Sequence, residues 1–339
     1  MNKTVSTLRL VTLLFAGLLL ASCVGAPARY DCPAGTQNRT GCPPVGAIDD
    51  PVIDQLYEDR TWVSAKELDV DLIKLGKRAE IPIQHARTKF LGPTDEAAIT
   101  SLAAKLWMIE NAEHTIDFTY YIFKTDLIGY AMLGALCNAV QRGVDVRVTV
   151  DSVGSISGGS HTPLRALETC ADRAGFMRNE AGQLTTRKAR IQVVVFNALS
   201  KLGNPNRRSH DKLLVKDGSF ESKSAVITGG RNISEDYYGI RADGSPDPDP
   251  FRDAEILIRS ASEVVEEDDT VGEVSEIYST LLFLLPFNKR ITASAADNPQ
   301  QQFAKSRFKA QSKLDHDPAG ADRGRKAGPL VDQDRIALP

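Results

Sequence analysis

A strand-helix-strand pattern between residues 114 and 151 constrains the fold of this chain most strongly. Residues 114–123 are rich in apolar, aromatic and β-branched side chains, residues 128–142 have apolar positions at helical spacing before Gly143, and residues 144–151 form a second strand pattern. Such a βαβ unit pairs its strands in parallel through a right-handed crossover. The sequence therefore predicts an α/β fold, with a ligand site beyond the carboxyl ends of the parallel strands, near Asp151 and residues 154–161.

Further patterns add elements on both sides of this unit. A helix is predicted after Thr94, which serves as its N-cap. The other predicted elements are helices over residues 164–174 and 273–283 and strands over residues 191–196, 212–216, 225–228 and 251–259, of which 212–216 and 225–228 form a hairpin.

The N-terminal segment has the pattern of an export signal. Lys3 and Arg9 precede a continuous apolar run, and residues 20–23, Leu-Ala-Ser-Cys, resemble a bacterial lipobox. The pattern predicts a signal peptide over residues 1–22, lipidation at Cys23 and a Pro/Gly-rich tether over residues 23–55. The protein is then expected to be anchored to a bacterial membrane outside the cytoplasm. Resemblance to lipoprotein sorting signals favours the outer membrane, with the protein facing the periplasm.

Composition limits the remaining classes of function. The net charge of −3 excludes a global basic field that would draw the chain to nucleic acid. In an oxidising compartment Cys32, Cys42, Cys137 and Cys170 can form two disulfides with three possible connectivities, and free thiols at Cys32 and Cys42 are the alternative. Because no Cys or His pair has zinc-ligand spacing, we expect no metal and no cofactor. Residues 291–339 lack a sustained apolar period and are predicted to be disordered.

The candidate chemistry lies in residues 209–217, which contain one His-x-Lys-x4-Asp pattern. Side chains two apart on a strand share a face, so His210 and Lys212 face one site, whereas Asp217 has the opposite parity and is expected to fix the hairpin. A lysine ammonium can neutralise a phosphoryl oxygen while a neutral imidazole attacks the phosphorus to form a phosphohistidine. Asn232 can donate an amide N–H to the same phosphate.

The competing interpretation is that His210 and Lys212 are solvated side chains on a strand edge. Three neighbours argue against it: Asp217, the Arg207-Arg208 pair before the histidine, and the Gly229-Gly230 turn before Asn232, whose glycines permit a close approach of the backbone.

These residues resemble the signature of the phospholipase D superfamily, and residues 206–210 with residues 229–233 are similar to its cardiolipin synthase-like branch. Supporting similarity in residues 120–123, 142–146 and 251–255 extends the resemblance over about residues 56–290. With the βαβ unit, it implies a catalytic lobe that is an α/β/α sandwich with a mixed, mostly parallel sheet, and phosphodiester transfer without a metal. Residue by residue, it implies catalytic roles for His210, Lys212 and Asp217 and substrate-binding roles for Asn232, Gly229, Gly230 and Arg208.

Two departures from the family pattern matter. Eleven residues, Gly218 to Thr228, separate the aspartate from the Gly-Gly pair, against about six in the family, and a longer hairpin tip over residues 218–224 accommodates them.

The family also has two such motifs, whose histidines lie on opposite sides of the phosphorus, whereas this chain has one. The second histidine is then supplied by a homodimer partner or by the missing half of a truncated two-motif protein; His161 is a weaker candidate within the chain, and His85, His114 and His316 lack a lysine two residues on.

The sequence therefore predicts a membrane-anchored phospholipase D-type phosphodiesterase or phosphatidyl transferase that acts on phospholipid headgroups through His210. One alternative is a dimeric periplasmic nuclease or phosphodiesterase. Its local support is a basic cluster that could contact a phosphate backbone, formed by Lys201, Arg207, Arg208 and Lys212. The other is an inactive remnant that binds headgroups without turnover.

Overall fold

The computed structural model describes residues 42–63, 86–155, 161–198, 206–260 and 271–292 of the 339-residue chain. The chain divides into two compact units, residues 1–46 and 47–339. The first unit is described only over residues 42–46, where Cys42 is disulfide-bonded. The predicted signal peptide, Cys23, Cys32 and almost all of the predicted C-terminal tail lie outside the described residues.

The helices of the second unit begin at polar capping side chains. Asp50 accepts hydrogen bonds from the backbone of Val52 and Ile53, Thr94 accepts one from Ala97, and Asp126 accepts one from Gly129. The described helices are α1 (Pro51–Asp59), α2 (Asp95–Glu110), α3 (Leu127–Arg142), α4 (His161–Leu167), which continues as a 3-10 turn (Glu168–Arg173), and α5 (Val271–Phe283). Helix α1 begins within the segment that the sequence predicts as a tether.

The strands form one large sheet and one small one. Their bounds are β1 (Ala86–Leu91), β2 (Thr115–Tyr120), β3 (Asp145–Asp151), β4 (Phe176–Arg178), β5 (Leu184–Lys188), β6 (Ile191–Phe196), β7 (Lys212–Lys216), β8 (Ala225–Gly229), β9 (Glu255–Ser260) and β10 (Lys289–Ile291). The eight-stranded sheet has the order β1-β9-β8-β7-β2-β3-β6-β10, and β4 pairs with β5 separately.

The prediction of a mixed sheet is confirmed, but the prediction that it is mostly parallel is wrong. Among the described strands, parallel pairing is confined to β2 with β3 and β3 with β6, and the other five pairings of the large sheet are antiparallel. The reason is that only the βαβ region returns its chain by a crossover helix, whereas β7 and β8 are joined as a hairpin and β9 turns back beside β8. The predicted hairpin is confirmed.

Helices cover both faces of the sheet, so the predicted α/β/α sandwich is confirmed. Alternate residues of β7 show the two layers: Leu214 belongs to the core that contains Met108 of α2 and Leu136 of α3, whereas Leu213 packs in a separate cluster against Val271 of α5. All of β2, β3, β6 and β7 is buried, as expected for central strands with helices on both sides.

The structure also bears on the cysteines and on membrane-spanning segments. Cys137 of α3 and Cys170 of the 3-10 turn form a disulfide, which selects one of the possible connectivities. In the described part of the chain, no helix is both long enough and apolar enough to span a bilayer.

Candidate active site

His210 and Lys212 meet at the start of β7. His210 is exposed just before the strand, while Lys212 is its first residue and only 4% exposed. The Nζ of Lys212 lies 3.2 Å from Nδ1 and 3.3 Å from Nε2 of His210, and it donates a hydrogen bond to the His210 carbonyl oxygen at 2.8 Å. The structure therefore brings the imidazole and the ammonium together at one end of the sheet.

Burial and two carboxylates act in opposite directions on Lys212. Desolvation is the larger effect and lowers the pKa of the ammonium below its ordinary value, while Asp253 and Asp211 oppose it and raise the pKa. Asp253 precedes β9, and Asp211 lies between the two motif residues. The positive charge of Lys212 therefore depends on neighbouring acids from two parts of the chain.

Tyr121 lies against both motif residues. Its ring centroid is 4.6 Å from that of His210, with the planes inclined by 52°, and the Nζ of Lys212 lies 5.3 Å from its centre. Strand pairing causes this, because β2 and β7 are antiparallel with Tyr120 opposite Lys212, and the Tyr121 N–H donates to the Asp211 carbonyl oxygen at 2.9 Å. Residues 120–123 carry part of the family resemblance, but the sequence does not predict this contact of Tyr121 with the two motif residues.

Asn232 lies beside the start of the βαβ crossover and is almost fully buried. Its Oδ1 accepts from the backbone N–H of Ile122 at 2.9 Å, and its Nδ2 donates to the Tyr237 hydroxyl at 2.8 Å. One of the two amide hydrogens is thus used by Tyr237, whose ring contacts that of Phe251 with centroids 5.1 Å apart. These bonds fix the orientation of the amide. Its second N–H is the one that could donate a hydrogen bond to a phosphate oxygen.

The Gly229-Gly230 pair packs closely against the segment before β9. A Cβ on Gly229, which has φ +151°, would lie 2.4 Å from the Ala254 carbonyl oxygen, and one on Gly230 would lie 2.2 Å from Oδ1 of Asp253. Larger residues would therefore push away the segment that carries Asp253. The glycines thus allow the end of β8 to lie directly against the segment that carries Asp253, a structural role beyond the one expected from the sequence.

Asp151 connects the end of β3 to the segment that carries His210. It lies at the carboxyl end of a parallel strand, where the sequence predicts a ligand site. Its Oδ1 accepts from the backbone N–H groups of Val153 at 2.8 Å and Gly154 at 3.0 Å, and its Oδ2 accepts from Ser209 at 3.2 Å. With 1% exposure, this carboxylate serves the backbone and does not face solvent. It fixes the residue directly before His210.

Asp217 lies at the opposite end of β7 from His210, about 23 Å away for seven residues of extended chain. It is fully buried at φ +50°, and its carboxylate accepts from the backbone N–H groups of Glu113, His114 and Thr115 at 3.1, 2.7 and 2.9 Å. The structure thus places this motif residue where it anchors the start of β2, apart from the other two.

The remaining candidates are distributed around the site. Arg208 is partly exposed next to Ser209, and its guanidinium donates to the Arg207 carbonyl oxygen at 2.7 Å. His114 lies near Asp217, with Nδ1 3.0 Å from the Arg178 carbonyl oxygen, so it is remote from His210. The side chain of His161 and all of His85 and His316 lie outside the described residues. Within the described ranges, no cluster of three or more His, Cys, Asp or Glu side chains could hold a metal ion.

Comparison with known proteins agrees with this site. Residues 106–242 match the family model described as "Cardiolipin synthase, PLD-like domain". The matched residues include His210, Lys212, Asp217 and Asn232, so this part of the chain is similar to a phospholipase D-like domain.

Individual relatives match over part of their length. Cardiolipin synthase C of Escherichia coli is 32% identical over 155 residues, which cover 42% of this chain and 28% of the relative. Cardiolipin synthase 1 of Bacillus cereus is 31% identical over 155 residues, which cover 45% of this chain and 25% of the relative. The alignments thus span about a quarter of the relatives' length. Among solved structures, the phospholipase D family member Nuc of Salmonella typhimurium matches with a TM-score of 0.41 and 14% identity, over 62% of this chain and 100% of that chain.

Proposed function

We propose that this site cleaves or transfers a phosphodiester of a phospholipid headgroup through a phosphohistidine at His210. The observation that carries the proposal is an exposed imidazole beside the ammonium of a nearly buried lysine, with Lys212 Nζ 3.2 Å from the ring. A nucleophile and a positive charge at one point are what attack on an anionic phosphodiester requires. The similarity of residues 106–242 to the phospholipase D-like family model supports the same chemistry.

The proposed reaction has two steps. A ring nitrogen of His210 attacks the phosphorus while Lys212 holds a non-bridging oxygen, and the leaving oxygen departs with a proton from an acid on the far side. Water or an alcohol then attacks the phosphohistidine and gives up its proton to that group, which frees His210. Asn232 holds a second phosphoryl oxygen through its remaining amide hydrogen.

The acid on the far side is a second histidine supplied from outside the described site. Within the described ranges, His114 is at the other end of the sheet and faces Arg178 and Lys223. A second copy of this chain, related by a two-fold axis, would place another His210 opposite the first, and a second motif on another segment would do the same.

A lipid substrate is supported by the relatives and by the predicted anchor. The relatives carry the name cardiolipin synthase, and lipidation at Cys23 would keep the site at a membrane surface outside the cytoplasm. We infer a phospholipid as donor and water or an alcohol as acceptor.

The assay presents two substrates to the same protein. Vesicles of phosphatidylethanolamine and phosphatidylglycerol, and separately DNA, are incubated with the wild-type chain, and products are measured by mass spectrometry and electrophoresis. We expect headgroup release or a new diphosphatidyl lipid, with a loss of about 10³-fold or more in His210→Ala. His316→Ala, in the predicted tail, is the matched control and should keep full activity. DNA cleavage with intact lipids would contradict a lipid substrate.

The second candidate is a dimeric nuclease. Arg207 and Arg208 lie directly before the histidine segment and are both accessible to solvent, so they could contact a nucleic acid backbone. This alternative predicts DNA cleavage that weakens steeply with salt, which the DNA arm of the assay measures.

A further inference from the structure

The ring of Tyr121 lies between the imidazole of His210 and the loop that follows β3. On one side its centroid is 4.6 Å from the His210 ring. On the other side, a Cβ placed on Gly154 would lie 2.2 Å from the Tyr121 carbonyl oxygen and 2.9 Å from its Cδ2 atom. The backbone of Gly154 is therefore in direct contact with the tyrosine, and only glycine fits there.

Backbone hydrogen bonds fix Tyr121 on both sides. Its N–H donates to the Asp211 carbonyl oxygen at 2.9 Å, and its own carbonyl oxygen accepts from the Ser155 hydroxyl at 3.1 Å. The Ser155 hydroxyl in turn accepts from the Phe123 N–H at 3.1 Å. The tyrosine thus lies at a fixed point between the histidine segment and the loop after β3.

The carboxylate of Asp151 determines the spacing of these two segments. It holds Gly154 through one oxygen and Ser209 through the other, at 3.0 and 3.2 Å. The distance between the loop behind Tyr121 and the residue before His210 is therefore set by one buried side chain. An aromatic ring fills the space that remains.

We propose that Tyr121 is a positioning residue that holds the imidazole of His210 at the angle needed for attack on phosphorus, with Gly154 and Asp151 fixing the tyrosine. The proposal rests on the function proposed above and assigns a role to residues outside the His-Lys-Asp motif. An exposed histidine with no side chain packed against it samples several rotamers, and in each unproductive rotamer the nucleophilic nitrogen is out of line with the phosphorus. The ring of Tyr121 sterically excludes the rotamers that would occupy its side of His210.

The first test separates positioning from binding. Tyr121→Leu should lower kcat by about 100-fold, because small misplacements of reacting groups have effects of this size, with KM changed by less than about threefold. Tyr121→Phe keeps the ring and should restore most of kcat. Phe90→Leu makes the same kind of change at an exposed side chain of β1 and should have no effect. Gly154→Ala should lower kcat with Tyr121 itself intact.

The second test does not require activity. In ¹H–¹³C spectra, the ring current of residue 121 should displace the chemical shifts of the His210 imidazole protons in the wild type and in Tyr121→Phe. In Tyr121→Leu these chemical shifts should return toward the values of a solvent-exposed histidine. Assignment uses the peak that is lost in His210→Ala.

The outcomes distinguish this proposal from the proposed function. Equal kcat in Tyr121→Leu and the wild type, or His210 peaks that are unchanged in the leucine variant, would overturn the positioning role. A wild-type protein without activity on any phosphodiester would contradict the proposed function, and the spectra alone would then decide whether Tyr121 orients His210.

Discussion

At the scale of residues, local geometry explains the part of the site that the sequence predicts. A strand places residues two apart on one face, so His210 and Lys212 can be paired from spacing alone, and the structure brings their side chains to 3.2 Å. Tyr121 and Asp253 could not be found this way. Their contacts depend on how β2 and β9 are aligned with the rest of the sheet, which is a long-range property.

The charge of Lys212 gives a prediction about pH. Its pKa is lowered by burial and raised by Asp253, and only the protonated amine can hold a phosphoryl oxygen. We expect kcat/KM to fall as pH rises through a value below the ordinary lysine pKa. Asp253→Asn removes a carboxylate that raises the pKa, so the alkaline limb of the profile should move to lower pH.

Asp249→Asn is the control for this measurement, because Asp249 is exposed in the same connecting segment. It should leave the alkaline limb in place. An alkaline limb in Asp253→Asn that stays at the wild-type position, or moves upward, would show that Asp253 does not stabilise the charge of Lys212.

At the scale of elements, β7 has a chemical end and an anchoring end. His210 and Lys212 lie at its start, while Asp217 follows its last residue and binds three consecutive backbone N–H groups before and within β2. The extra residues of the hairpin form a 3-10 turn, Glu221–Lys223, between β7 and β8, so both strands keep their register. The sequence predicts the opposite parity of Asp217, but its partners belong to a different element and cannot be read from spacing.

Asp217→Asn tests the anchoring role through stability. Asparagine tolerates a positive φ, so the substitution isolates the loss of a buried carboxylate acceptor. We expect the free energy of unfolding to fall by about 2–3 kcal/mol, since several buried backbone donors lose a charged partner. Urea unfolding measures this change.

Asp243→Asn, at an exposed turn, should leave the unfolding midpoint unchanged. Phosphate binding at the His210 end should also be unaffected in folded Asp217→Asn. A variant with wild-type stability but no phosphate binding would place Asp217 in the chemistry instead of the fold.

At the scale of the whole molecule, the sequence predicts the layers better than the sheet. Periodicity identifies the βαβ unit, the hairpin and most helices, because these patterns are local. It does not show that β1 pairs antiparallel with β9, which lies far along the chain. Because the recognisable βαβ unit is parallel, the sequence overestimates the share of parallel pairing in the sheet. The same limit applies to Arg60, whose buried ion pairs with Asp117 and Asp145 join α1 to the sheet.

The origin of the second histidine is also a question about the whole molecule. If two copies share one symmetric site, an active dimer needs two intact His210 side chains. Activity should then fall as the square of the wild-type fraction when wild type is mixed with His210→Ala and subunits exchange. A linear fall would contradict a shared site and favour a second histidine from another segment.

The central claim is that His210 becomes covalently phosphorylated during turnover. The most direct measurement is acid-free quenching of the wild-type chain with a phospholipid labelled at its phosphate, followed by peptide mapping of the labelled protein. We predict label on His210 that is chased by water or alcohol, is absent in His210→Ala and is retained in His316→Ala. A wild-type protein that releases headgroups without label on His210, or that carries the label elsewhere, would contradict this account, and a protein that binds phospholipid but never acquires label would be a headgroup-binding remnant.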